Sequence, residues 1–276
     1  MSYINALSLV SNVNDWLTNS RHPRILHVFD HACNLINERR EVLSVVTPEI
    51  GNGPFNLVTE EDLFVSRNLN IESPISITQN QLILADLTIN TTDAKLWNPC
   101  PNWEILHARK DDILTQLLSL PVPNYQISIP KSLVFNLSYT ITKADISTAK
   151  TVASQLAGLG QGLTPSGDDF IMGAILAAWI IHPPNIAKVL AKDLASTAAS
   201  LTTSLSAAWL RSAGKGEAGS LWYYFFDALL SENIMTIQGA LEKLHNLGHT
   251  SGDDALAGFT STFIAYVKRE IKLCPS

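Results

Sequence analysis

The residues best suited to chemistry are two copies of one short turn. Thr164-Pro165-Ser166-Gly167-Asp168-Asp169-Phe170-Ile171-Met172-Gly173 and His249-Thr250-Ser251-Gly252-Asp253-Asp254-Ala255-Leu256-Ala257-Gly258 share Ser-Gly-Asp-Asp, three apolar residues and a glycine. Each leads into an apolar run, so each reads as a helix start. Such a start offers unpaired N–H groups and the positive end of a helix dipole, which suits a phosphate or a carboxylate. A carboxylate beside that anion would hold a divalent cation, magnesium being the natural choice, bond the amide of a carbamoyl-type group, or serve as a base. The residue types leave these alternatives, and the identity of any metal, open.

Roles within the turns can be divided further. Ser166-x-x-Asp169 and Ser251-x-x-Asp254 fit the Ser-x-x-acid capping box, which would account for the second aspartate of each pair. Asp168 and Asp253 are then the catalytic candidates. The ligand-binding candidates are Gly160, Gly162, Thr164, Ser166, Gly167, Asp169, Ser251, Gly252 and Asp254. The first copy has the longer approach, Gly158-Leu159-Gly160-Gln161-Gly162-Leu163, a glycine-rich loop through which backbone could come close to a ligand. It matches neither the dinucleotide fingerprint nor the P-loop. Arg211 and Lys215, after the hydroxyl run Thr202, Thr203, Ser204 and Ser206, share a helix face, and Arg211 would clamp the same anion. His249 would donate to it or shuttle a proton. Two such turns read as an internal repeat, two helix starts facing each other across a local pseudo-dyad. Gly173 and Gly258 lie inside their helices, where glycine costs about 1 kcal/mol relative to alanine, which implies close approach of a backbone or of the ligand.

The elements that must position these turns fall into two textures. Up to about Tyr139 the chain is rich in β-branched residues, proline and asparagine. Strands are expected at Arg24–Phe29, Leu43–Val46, Phe55–Val58, Ile75–Thr78, Gln81–Ile89 and Leu133–Thr140, with a hairpin at Asn37–Arg40 and a loop at Gly51–Pro54. Helices are expected near Tyr3–Leu17 and Trp103–Leu118. From about Ala144 alanine and leucine dominate, and the spacing predicts helices near 144–157, 168–181, 185–199, 201–213, 218–230, 233–246 and 252–270. Gly158, Pro183-Pro184, Gly214–Gly216 and Gly248 punctuate them. The expected fold is α+β: a mainly β N-terminal half, residues 1–142 with two helices, packed on an all-α C-terminal half, residues 143–276. Asn34 and the aromatic run Trp222–Phe226 read as turn chemistry and core.

Bulk properties narrow the function classes. The 276 residues carry a net charge of −6 and a pI near 5.6, which disfavours a nucleic-acid partner. With 46% apolar residues and a mean hydropathy of +0.13, the chain can fill a sizeable core. The most apolar stretch, Phe170–Ile181, is shorter than the ~20 residues that span a bilayer, and no secretion signal opens the chain, so no membrane partner and a cytoplasmic location are expected. Cys33, Cys100 and Cys274 are too few and too scattered for a disulfide framework or a zinc site.

Gly158 to Asp169, read as Gly-Leu-Gly-Gln-Gly-Leu-Thr-Pro-Ser-Gly-Asp-Asp, closely resembles the signature of the AllH-like family. Phe29 with Ala32-Cys33-Asn34-Leu35, Gly51-Asn52-Gly53-Pro54-Phe55, Thr202 to Gly216, and Gly248 to Gly258 resemble it too, in the family's order, over about residues 20–265. The resemblance implies a subunit of oxamate carbamoyltransferase, an enzyme that moves a carbamoyl group between oxalurate and phosphate. It implies partner subunits and a small anionic substrate of the phosphate or carbamoyl-phosphate type. Two alternatives come from the residues themselves: a non-catalytic scaffold or ligand-binding subunit, and a stand-alone magnesium-dependent phosphohydrolase.

Overall fold

The computed structural model describes residues 2–273 except 62, 65, 66, 121–127 and 249, and it excludes the side chains of 271–273. The chain forms two compact units, Met1–Pro99 and Cys100–Ser276. The first is mostly strand and the second all-helical, which gives the α+β class expected. The segment Leu133–Thr140, expected as a strand, is helix α4 (Lys131–Thr142), and its Leu137 and Ile141 belong to the helical core together with Trp103, Leu106 and Ile113. Leu133, Leu137 and Ile141 recur at helical spacing, and that stripe outweighs the β-branched neighbours.

The N-terminal unit contains β1 (Ser2–Leu9), α1 (Ser11–Asn19), β2 (Arg24–Val28), β3 (Ala32–Ile36), β4 (Val42–Val46), β5 (Asn56–Thr59), β6 (Ile75–Thr78), β7 (Gln81–Leu84), β8 (Leu87–Asn90) and β9 (Lys95–Leu96). They join in the order β2-β3-β4-β5-β1-β8-β7-β6, with β9 beside β1. Two expectations are corrected here. The helix expected over Tyr3–Leu17 is a strand followed by a helix. In β1, Ile4 and Ala6 are buried while Asn5 is exposed, the period of a half-buried strand. The single strand expected over Gln81–Ile89 folds back on itself at Ala85, whose φ is +53°, pairing Leu84 with Leu87. The hairpin at Asn37–Arg40 is present, joining antiparallel β3 and β4. Val13 and Trp16 of α1 close one side of a core that includes Ile25, Leu35, Leu43, Leu57, Leu82 and Ile89.

The C-terminal unit contains α2 (Trp103–Ala108), α3 (Lys110–Ser119), α4, α5 (Ile146–Leu156), α6 (Ser166–Ile181), α7 (Pro184–Ala199), α8 (Ser204–Gly214), α9 (Ser220–Ser231), α10 (Ile234–His245) and α11 (Ser251–Leu273). The helix expected over Trp103–Leu118 is two, meeting at Arg109. Helix α6 is buried all round except at Met172, which is why its sequence is apolar on every side. Trp222, Phe225, Phe226, Phe259 and Phe263 form an aromatic cluster within the same core. Among the described residues, no helix is long and apolar enough to cross a membrane. Cys33 is buried, which pushes its thiol up to about 12, and Cys100 is exposed. Cys274 lies outside the described residues.

Candidate functional site

Helices α6 and α11 start side by side, and their backbones touch through two glycines. A Cβ on Gly173 would fall 1.8 Å from the Ala255 carbonyl oxygen, and one on Gly258 would fall 2.0 Å from that of Phe170. The next contacts match as well, Gly173 with Phe259 N and Gly258 with Ala174 N, each 3.0 Å from the built Cβ. Close backbone approach, rather than a ligand, explains these two glycines.

Hydroxyls of each turn face the carboxyl of the other. The Ser251 hydroxyl faces the Asp169 carboxyl, and the Ser166 hydroxyl faces that of Asp254. Thr164 also faces Asp169, Thr250 faces Asp254, and the Thr164 and Ser251 hydroxyls lie 2.8 Å apart, within hydrogen-bond distance. The capping box expected at α6 is not formed, since no side chain caps that helix. Pro165 occupies the N-cap position of α6, where its carbonyl accepts from the Asp168 and Asp169 amides, and the Thr250 carbonyl accepts from Asp254 in α11. Ser166 and Ser251 are already inside their helices and turn their hydroxyls to the opposite turn.

Asp169 and Asp254 are 5% and 3% exposed, and among the described residues the Oδ2 of each is buried without a hydrogen-bond partner. Burial pushes the Asp169 carboxyl up to about 8; Asp254 and Asp168 add repulsion, while the hydroxyls of Ser251 and Thr164 pull the other way. Asp254 is raised by the same burial, against the Ser166 and Thr250 hydroxyls that face it.

Asp168 and Asp253 do different work. Asp168 is 1% exposed and fully bonded: Oδ1 accepts from the Gly158 amide at 2.9 Å, and Oδ2 accepts from the hydroxyls of Thr202 and of Ser206, the latter at 2.8 Å. Thr203 adds a bond to the Leu163 carbonyl at 2.5 Å and caps α8 through the Ser206 amide. The start of α8 thus clasps the loop before α6. Asp253 is paired with Nδ1 of His245 at 2.5 Å, at the exposed end of α10.

The glycines of the turns also have separate tasks. Gly167 and Gly252 donate their amides to Leu159 and Leu247, and a Cβ on either would strike a carbonyl of the preceding helix, Leu156 at 2.0 Å or Leu244 at 1.8 Å. Gly160 and Gly162 are exposed, with φ of +124° and +93°. A Cβ on Gly160 would lie 2.7 Å from the Ser166 amide nitrogen, so the bare glycine leaves the start of α6 uncovered by a side chain.

The structure brings together Gly160, Thr164, Ser166, Gly167, Asp168 and Asp169 with Ser251, Gly252 and Asp254. Arg211 is exposed in the last turn of α8 and takes no part in this network. His249 lies outside the described residues. Sequence reasoning did not anticipate Thr202, Thr203 and Ser206 as partners of the turn; their only signal was a hydroxyl-rich run ahead of a helix. His245 carried no signal at all. Among the described residues no group of three His, Cys, Asp or Glu side chains is placed to hold a metal.

With this geometry in view, the comparisons are decisive for kinship. A family model described as oxamate carbamoyltransferase subunit AllH matches residues 156–263, and one described as the AllH family N-terminal domain matches residues 5–96. The chain belongs to the AllH family. The first AllH match contains both turns and the hydroxyl run of α8, and the second coincides with the strand unit. No solved structure matches the chain.

Proposed function

We propose that this chain is the small-anion-binding subunit of a carbamoyltransferase-type enzyme, taking phosphate or carbamoyl phosphate at the paired starts of α6 and α11. The observation that carries the reading is the meeting of the two turns, where the Thr164 and Ser251 hydroxyls lie 2.8 Å apart and α6 and α11 touch at Gly173 and Gly258. Membership of the AllH family supports the reaction class. Two helix starts at one point favour an anion. Asp168 then acts as a positioning residue for the loop over Gly160 and Gly162, and Asp169 and Asp254 face the ligand. Catalysis of this kind is chiefly positioning and charge stabilisation, and partner subunits complete the centre.

Thermal melting with phosphate, carbamoyl phosphate and oxamate, with and without magnesium, tests this. A ligand at ~100 times its Kd stabilises the fold by about 2.7 kcal/mol. Stabilisation by phosphate or carbamoyl phosphate that Ser251→Ala or Asp254→Asn removes supports the site. Carbamoyl transfer by the lone chain, or none with every partner subunit present, counts against the subunit reading.

A second reading has its own support. The amides of Gly167 and Gly252 are already bonded within the chain, and the free carboxyl oxygens are buried. In that reading the turns fasten α6 to α11 in a scaffold subunit, and their variants alter assembly rather than ligand response.

A further inference from the structure

Helices α4 and α11 leave an open groove between them. Lys131, Val134, Phe135 and Ser138 line it from α4, and Ser261, Ile264, Ala265 and Lys268 line it from α11. Each set falls at i, i+3, i+4 and i+7, so the groove follows one face of each helix for two turns. Its space, about 170 Å³, takes side chains but not a helix backbone. Phe135 is 59% exposed and Ile264 38%. Phe135 also stacks on the exposed Tyr139, with ring centroids 5.7 Å apart, which extends the apolar surface along α4. Contiguous exposed apolar surface of this kind marks a contact site.

Ser138 adds a polar observation. It is 2% exposed, and among the described residues its buried hydroxyl has no hydrogen-bond partner. On the same helix the hydroxyls of Thr140 and Thr142 bond back to the carbonyls of Asn136 and Tyr139. Ser138 does not, and a buried hydroxyl left unpaired is costly.

The charges along the groove have one sign. Helix α4 contains no Asp or Glu, and neither does α11 from Ser261 to Lys268. Among the described residues Lys131 and Lys268 make no ion pair. Arg269 donates to the Thr142 carbonyl, which brings the last turn of α4 beside Lys268, while Lys131 stands in its first turn. Lys143 follows α4, its ammonium 4.4 Å from the centroid of the Tyr139 ring. Asp145 and Glu270 come only after Lys143 and Lys268. On a chain of net charge −6 this is a local cationic rim around an apolar groove.

That charge selects the occupant. A second copy of the chain, docked through the same face, would set lysines against lysines. A helix with carboxylates flanking an apolar stripe is complementary instead. We propose that the groove between α4 and α11 docks an acidic amphipathic helix of a partner protein. Its apolar stripe enters between Phe135 and Ile264, its carboxylates meet Lys131 and Lys268, and a polar side chain beside the stripe bonds the Ser138 hydroxyl. The inference does not rest on what the paired turns bind.

The test is photo-crosslinking of the full chain in the cells that make it. The residue p-benzoylphenylalanine replaces Phe135, and in a control it replaces Met235, which is exposed on α10. Mass spectrometry identifies the crosslinked peptides. The probe in place of Phe135 is expected to capture one segment of another polypeptide, rich in Asp and Glu and with apolar residues at helical spacing; the control should not capture it. Lys131→Glu combined with Lys268→Glu should lower the yield about fivefold or more, since opposite charges then become like charges. Raising the salt from about 0.1 M to about 0.5 M in a lysate should lower it too. Both lysines are exposed, and should the double variant still fail to fold, the salt response decides. Capture of a second copy of this chain, of lipid, or of nothing overturns the proposal. So does a partner segment without an acidic excess, or a yield that neither charge reversal nor salt lowers.

Discussion

The Ser251 hydroxyl of one turn faces the Asp169 carboxyl of the other, at a point where Oδ2 of Asp169 is buried and unpartnered among the described residues. Burial dominates that balance. It lifts the carboxyl from its ordinary 3.8 to about 8, despite the hydroxyls of Ser251 and Thr164. A carboxyl raised in the folded state holds a proton that the unfolded chain has released, so folding loses stability as pH rises.

Stability is therefore expected to fall between about pH 4 and pH 8 and to level off above, with Asp254 acting in the same direction. One such proton contributes a slope of up to about 1.4 kcal/mol per pH unit. Urea denaturation at pH 5, 7 and 9 measures it. Asp169→Asn, which cannot ionise, should flatten the profile and be more stable than the native chain at pH 9. An unchanged slope in that variant would mean that Asp169 is ionised in the native fold.

Much of the site was readable in the sequence, for a physical reason. A helix start needs particular residues at fixed offsets, so Ser-Gly-Asp-Asp announced α6 and α11 and hinted that they face each other. The division of labour within each pair was not readable. Local chemistry assigned Asp169 and Asp254 to capping, but each also faces a hydroxyl of the turn on the other helix, and Asp168 is saturated by Thr202 and Ser206 at the start of α8. Such pairings depend on how helices cross. The misread elements share this cause. Burial of Leu137 and Ile141 on one face makes α4 a helix, and burial of Ile4 and Ala6 on one face makes β1 a strand. The turn at Ala85 has neither glycine nor proline to mark it.

The glycine contact between α6 and α11 sets up a contest of known sign. Alanine at Gly173 or Gly258 gains about 1 kcal/mol of helix propensity. Its Cβ would lie 1.8 or 2.0 Å from a carbonyl oxygen of the facing helix, so the backbones must part. Overpacking of this kind costs about 1–3 kcal/mol or more. Net destabilisation by each single substitution is expected in equilibrium unfolding. Stabilisation by about 1 kcal/mol, the bare propensity gain, would show that the helices do not touch here.

The two copies should respond unequally to the same substitution. Asp168→Asn leaves the Gly158 amide and the hydroxyls of Thr202 and Ser206 facing a neutral group that carries its own N–H donors, inside a buried site. Hydrogen bonds to a charged group contribute about 1.5–3 kcal/mol, so a loss of about that size is expected, with faster hydrogen exchange at the Gly158 amide and easier proteolysis of the loop before α6. Asp253→Asn touches a pair with His245 whose histidine side chain is 61% exposed. Exposed pairs contribute less than about 1 kcal/mol, so that variant should unfold almost as the native chain does. Equal destabilisation by the two would mean that Asp168 does not fasten the loop, and the start of α8 would need another role.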